Sequence, residues 1–318
     1  MKRTNLFVVV IISLFFLGCD AILEEDISDD VMIAISPSEA DIILSNVVTF
    51  QWLELDGADD YRLQIIESGG FYILDSLIND SMFTFQIGSG AYSWRIRGEN
   101  FAYNTEYSFP INFSVDISED LSSQILILNT PTDGIYLNEV DNLLFTWQDL
   151  ISATTYDLEF KKNLNGTQTI LQDYDLSAVS YSPLPTLFDE DASYEWRVRG
   201  VNSTSQTVFS QRVIYVDRVI PNQPQLNLPD DNTVSTALNI DFSWGISADV
   251  GNIQSPISYT VDIANDIDFN TILVTYETSN ISQSHVFSDI GVYYWRIQAI
   301  DQAGNMSTIS QSRNLTIN

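Results

Sequence analysis

The chain has 318 residues, enough for two or three domains of ordinary size. Hydrophobic residues make up 45% of it and aromatics 12%, which is material for several packed cores. Its 43 acidic and 13 basic residues give a formal charge of −30, which repels nucleic acid and anionic headgroups, and its one cysteine and one histidine exclude an internal disulfide and a Cys/His metal centre.

Residues 1–18 read as a targeting segment. Lys2 and Arg3 form a basic start, and the twelve residues from Leu6 to Leu17 are apolar except for Ser13. That run is short for a membrane span and right for a signal peptide. It ends Phe16-Leu17-Gly18-Cys19, which resembles a bacterial lipobox, with Phe16 where an aliphatic residue is usual. The resemblance implies cleavage before Cys19 and acylation of its thiol. Several acyl chains together hold a protein stably on a membrane, whereas one alone is marginal. Residues 19–30 are expected to be the lipidated cysteine and a tether. Six of the eleven residues 20–30 are acidic, so the segment repels itself and extends.

Three repeats follow, with β-sandwiches expected over 31–117, 124–217 and 221–318. Each opens with Phe-x-Trp, at Phe50-Gln-Trp52, Phe145-Thr-Trp147 and Phe242-Ser-Trp244. Each continues with a Tyr that begins an alternating run, at Tyr61, Tyr156 and Tyr259. Each closes on a Tyr-x-Trp-Arg strand, at Tyr92-Ser-Trp94, Tyr194-Glu-Trp196 and Tyr293-Tyr-Trp295, and then on one more strand. The last strand of the first repeat is expected near Phe109–Val115. Alternation with period two sends the aromatics to one face of a strand and the charges to the other. Turn-formers such as Pro131-Thr-Asp-Gly134 separate the runs, and no stretch shows a capped helical period. The prediction is an all-β chain of three tandem antiparallel sandwiches.

This pattern resembles fibronectin type III modules and closely related bacterial immunoglobulin-like modules, over residues 31–318. Tyr92-Ser-Trp-Arg-Ile-Arg-Gly-Glu-Asn100 and Tyr194-Glu-Trp-Arg-Val-Arg-Gly-Val-Asn202 match the sixth strand of that family, and Asp301-Gln-Ala-Gly-Asn305 is similar to a hairpin found in many bacterial members. The third repeat departs from the pattern, because its gap from Trp244 to Tyr259 is six residues longer than in the other two. The resemblance carries a fold and no activity.

The six tryptophans are assigned to the cores, since they recur at fixed places on apolar faces. Tyr92, Tyr194 and Tyr293 are expected to form tyrosine corners, which tie a strand to the loop before it. The aromatics taken as non-repeating, Phe71, Tyr72, Phe101, Tyr103 and Tyr107, are the candidate ligand-binding residues, because Tyr and Phe in loops are enriched in recognition surfaces. The acidic groups Asp59-Asp60, Asp230-Asp231 and Asp262 with Asp266 and Asp268 lack the EF-hand spacing, and no metal is assigned to them. His285 is the only histidine, and no nucleophile elbow or phosphate loop is present, so no catalytic residue and no cofactor is expected. The sequence thus predicts a non-catalytic lipoprotein of the cell envelope. It would sit in the outer membrane, exposed at the surface, and bind a polysaccharide or protein as a monomer or as part of an envelope complex. The rival reading is a periplasmic scaffold that binds only protein partners.

Overall fold

A computed structural model describes residues 24–247 and 249–318; Cys19 and the signal-like segment lie outside them. The chain divides into two compact units between Asp116 and Ile117. The first holds one β-sandwich and the second holds two, and the structure is all-β, in line with the sequence prediction.

Each sandwich uses eight strands in one order. In the first they are β1 (Ala34–Ser36), β2 (Asp41–Ile43), β3 (Val47–Trp52), β4 (Asp60–Glu67), β5 (Tyr72–Ile78), β6 (Met82–Gln86), β7 (Gly90–Glu99) and β8 (Ile111–Val115). In the second they are β9 (Leu128–Thr130), β10 (Ile135–Leu137), β11 (Phe145–Trp147), β12 (Thr155–Asn163), β13 (Thr167–Leu176), β14 (Ser180–Tyr181), β15 (Ser193–Val201) and β16 (Ser210–Val216). In the third they are β17 (Leu226–Leu228), β18 (Thr233–Ser235), β19 (Asn239–Trp244), β20 (Ile257–Ala264), β21 (Ile272–Thr278), β22 (Ser282–Val286), β23 (Gly291–Asp301) and β24 (Arg313–Ile317).

A three-stranded sheet faces a five-stranded sheet each time. In the first sandwich the orders are β1-β3-β6 and β2-β8-β7-β4-β5, and the other two repeat them. The pairs β2–β8, β10–β16 and β18–β24 are parallel, and the remaining pairs are antiparallel.

The Tyr-x-Trp strands β7, β15 and β23 lie in the middle of the five-stranded sheets. Along β7, Tyr92, Trp94 and Ile96 are buried while Ser93, Arg95 and Arg97 are only half-buried, which is the pleat turning alternate side chains inward. Trp94, Trp196 and Trp295 meet Phe50, Phe145 and Phe242 edge-on, with centroids 5.3, 5.1 and 5.0 Å apart. Trp52, Trp147 and Trp244 rest on Tyr61, Tyr156 and Tyr259 at 5.6, 5.6 and 5.4 Å. All six indoles are buried. Truncating any one to alanine costs about 3–5 kcal/mol, a large part of the roughly 5–15 kcal/mol that holds a domain folded.

The structure corrects the expected tether. The sequence predicts an extended segment through residue 30, yet Ile27 is fully buried in the first sandwich. Asn100 Nδ2 donates to Glu25 O at 2.9 Å and to Gly57 O at 2.8 Å, which fastens the segment to the loops beside it. The stretch before the second sandwich does the same. Leu121 is fully buried, and Asn202 Nδ2 donates to Glu119 O at 2.8 Å and Ser152 O at 3.0 Å. Glu25-Asp-Ile-Ser28 and Glu119-Asp-Leu-Ser122 are therefore one repeated element that begins each sandwich ahead of its first strand. Burying one isoleucine gives about 1.5–3 kcal/mol, whereas repulsion among exposed carboxylates is screened to a few tenths.

Candidate functional site

The outer face of each five-stranded sheet is polar. In the first sandwich Arg62 pairs with Glu99 at 2.8 Å and Asp75 at 3.1 Å, and Arg97 pairs with Glu99 at 2.7 Å. Arg95 donates to Gln64 Oε1 at 2.8 Å and to the Tyr72 hydroxyl at 3.2 Å. The Tyr107 ring lies under both Arg95 and Arg97, 4.4 and 4.8 Å from their guanidinium carbons, a cation–π contact with each. In the second sandwich Phe209 takes the same place under Arg197 and Arg199, at 4.4 and 4.7 Å. Tyr107 and Phe209 both stand fifteen residues after the tyrosine of their strand. Tyr107 thus has a packing counterpart, and that equal spacing was a signal available in the sequence.

The five candidate aromatics do not form one site. Strand β4 runs antiparallel to β7, with Asp60 opposite Glu99 and Glu67 opposite Tyr92. Phe71 follows the Glu67 end and Phe101 follows the Glu99 end, so they stand at opposite ends of the sandwich, about 25 Å apart along the strands. Phe71 is 73% exposed and Phe101 93%. Tyr103 sits with Phe101 in the β7–β8 hairpin, its backbone N–H donating to Asn100 Oδ1 at 2.8 Å. Phe109 belongs to the same hairpin and is 92% exposed, but sequence reasoning missed it by reading it as the start of a strand that in fact begins at Ile111. The second sandwich has Ser203, Ser205 and Gln211 where the first has Phe101, Tyr103 and Phe109.

The three strand tyrosines make corner bonds. Tyr92, Tyr194 and Tyr293 donate to Gly88 O, Glu190 O and Asp289 O at 3.0, 2.8 and 2.9 Å. Burial also raises the Tyr156 hydroxyl, with the Asp149 carboxylate adding to it, to about 12. Glu159 lies nearly buried on the outer face of the second sandwich. Burial pushes its carboxyl up, but hydrogen bonds from Tyr174, Arg197 and Gln172 outweigh that and hold it at about 2. His285 Nδ1 shares a hydrogen bond with the Tyr276 hydroxyl at 2.8 Å, and its ring meets Phe287 edge-on.

The acidic residues singled out in the sequence have separate partners, and Asp262 pairs with Arg296 at 3.1 Å. Asp231 Oδ1 accepts from Asn314 N at 2.9 Å, and Asp266 accepts from the backbone of Asp268, Asn270 and Thr271. A different set converges where the second sandwich passes into the third. Asp217, Asp249 and Asp301 each offer a carboxylate oxygen, and the three oxygens lie within 4.8 Å of one another. Asp217 and Asp301 are buried and Asp249 is half-buried.

No family model matches the chain, and no curated protein matches it. Solved structures similar to it include the chicken CNTN1 FN1-FN3 domains, 14% identical, with 91% of this chain and 98% of that one covered at a TM-score of 0.44. The Clostridium thermocellum CbhA fibronectin(III)-like modules are also 14% identical, with 61% and 94% covered at 0.38. The chicken interferon gamma receptor alpha chain is 14% identical, with 60% and 97% covered at 0.25. At that overlap the fold rests on the sheets themselves: by strand order and repeated core, the chain is a tandem array of three fibronectin type III-like β-sandwiches.

Proposed function

We propose that this chain is a lipid-anchored, non-catalytic binding protein of the bacterial envelope, held in the outer membrane through Cys19 and displayed at the surface. Its ligand is a polysaccharide or a protein, and the first sandwich supplies the contact. One observation carries this reading. The β7–β8 hairpin of the first sandwich leaves Phe101 and Phe109 almost wholly in solvent, where the second sandwich has Ser203 and Gln211. An aromatic ring in water gains nothing for its own fold and offers a flat apolar face to a sugar ring or a partner side chain.

Two measurements test it. Proteinase K treatment of intact cells should remove the protein while a periplasmic control survives; protection until the outer membrane is opened would instead favour a periplasmic scaffold. Binding to a polysaccharide panel should fall at least tenfold in Phe101→Ala with Phe109→Ala, and should be little changed in Phe71→Ala at the other end of the sandwich. Equal binding by all variants would remove the hairpin from the site.

A further inference from the structure

The third sandwich closes its entry differently from the other two. In the first and second, an asparagine stands eight residues after the strand tyrosine, Asn100 and Asn202. Each amide donates to a carbonyl of the entering segment, Glu25 or Glu119, and to a carbonyl of the loop after the Phe-x-Trp strand, Gly57 or Ser152. The same position in the third sandwich is Asp301, and a carboxylate has no proton to donate to a carbonyl. The entering segment there presents Asp217, whose carbonyl accepts from Asn305 Nδ2 at 2.9 Å instead. The loop is the one that is six residues longer, and the added length carries Asp249. In the third sandwich Asn305 thus keeps the bond to the entering segment, while the asparagine position itself becomes one of three converging carboxylates.

The hydrogen bonds around these carboxylates leave part of the cluster unanswered. Asp217 accepts from Ser255 N and Oγ at 3.2 and 2.7 Å and from Val219 N at 3.2 Å. Asp301 accepts from Asn305 N and Nδ2, both at 2.8 Å. Asp249 Oδ1 accepts from Gly251 N at 3.3 Å, but its Oδ2 is enclosed and has no donor. Two residues earlier on the same loop the Ser247 hydroxyl, on a residue only 3% exposed, also has no partner. Among the described residues no lysine or arginine pairs with any of the three. Arg218, beside Asp217, is held by Asp191 at 2.9 Å and Phe188 O at 2.7 Å. An uncompensated buried charge costs several kcal/mol, and the sister sandwiches fill the same place with a donor.

We propose that Asp217, Asp249 and Asp301 bind one calcium ion, which joins the second sandwich to the third. Calcium is a hard cation that takes six to eight oxygens at about 2.3–2.6 Å, so ligand oxygens within 4.8 Å of one another suit a single ion. Hydroxyl and carbonyl oxygens of the long loop are of the type that completes such a shell. Asp217 directly follows β16, the last strand of the second sandwich, whereas Asp249 and Asp301 belong to the third. The ion therefore reinforces across that junction the Asn305 bond to the Asp217 carbonyl, the counterpart of the Asn100 and Asn202 clamps.

The test uses the full chain in detergent, titrated with calcium chloride against a chromophoric chelator, with hydrogen exchange followed across 213–219 and 297–307. The wild type should bind one calcium ion, and Asp249→Asn should abolish that binding. At calcium a hundredfold above its dissociation constant, junction amides that open only on release of the ion should exchange about 100-fold more slowly than in chelator. Asp301→Asn should also lose calcium, yet it restores the amide of the sister sandwiches, so its junction should stay protected in chelator. Three results would each overturn the proposal: no calcium uptake by the wild type, undiminished uptake by the two asparagine variants, or junction exchange in the wild type indifferent to chelator.

Discussion

Replacing the strand tryptophans with phenylalanine separates the ring from its N–H. Trp94, Trp196 and Trp295 are fully buried, occupy equivalent positions, and meet the equivalent phenylalanines Phe50, Phe145 and Phe242 edge-on. Trp→Phe removes the same ring volume from each, so the packing loss is shared. The indole N–H differs. Trp94 Nε1 donates to Pro37 O at 2.9 Å, whereas Trp196 Nε1 and Trp295 Nε1 are buried without a protein acceptor. In the first sandwich the change strands a buried carbonyl, at about 1–3 kcal/mol. In the other two it removes a donor that was already unsatisfied. Trp94→Phe should therefore destabilise its sandwich by about 1–3 kcal/mol more than Trp196→Phe destabilises its own. Native-state hydrogen exchange with mass spectrometry reads this on β4 and β7 against β12 and β15 of the full chain. The difference amounts to roughly 5- to 150-fold in protection. Equal losses, or a larger loss for Trp196→Phe, would refute the reasoning.

Two further outcomes follow from single groups. Tyr194→Phe removes the corner bond to Glu190 O and should cost the second sandwich about 0.5–1.5 kcal/mol, read as a lower urea midpoint; an unchanged midpoint would show that the corner is ornamental to stability. Glu159 is held at about 2 in the fold against an ordinary 4.5, so the unfolded chain binds the proton first as pH falls. Its contribution is complete above about 4.5 and is lost as pH drops toward 2. Glu159→Gln should flatten the acid limb of the second sandwich's stability profile, and a profile as steep as the wild type's would discount that carboxylate.

Much of the fold was legible because strand burial writes itself into residue type. Tyr92, Trp94 and Ile96 alternate with polar neighbours, and no other arrangement buries three such side chains on one side of five consecutive residues. The docked segment before each sandwich was less visible. Its only apolar signal is one residue, Ile27 or Leu121, among acids, and the bond that fixes it uses the carbonyl of Glu25 or Glu119, which any residue carries. Phe109 was misread because Phe-Pro-Ile looks like the edge of a strand when only apolarity is counted. The pairing shows that the strand starts two residues later.

The acidic junction shows where a repeat informs more than a motif does. Asp217, Asp249 and Asp301 are too far apart in the chain for any local spacing rule to connect them. Sheet topology brings them together, because the end of β16, the loop before β20 and the end of β23 meet at one end of the third sandwich. Two signs were nonetheless in the sequence: the long gap from Trp244 to Tyr259, and Asp301 standing where the other repeats place Asn100 and Asn202. A repeat that keeps its core yet changes one polar clamp, and lengthens the loop facing it, has altered two parts of one contact. An Asp in place of an Asn differs by one charge and one donor pair. In a buried contact that difference is too large to be neutral, so the compensation must lie among the groups around it. That is why the same aspartate, unremarkable in any single module, becomes informative when the three are superimposed.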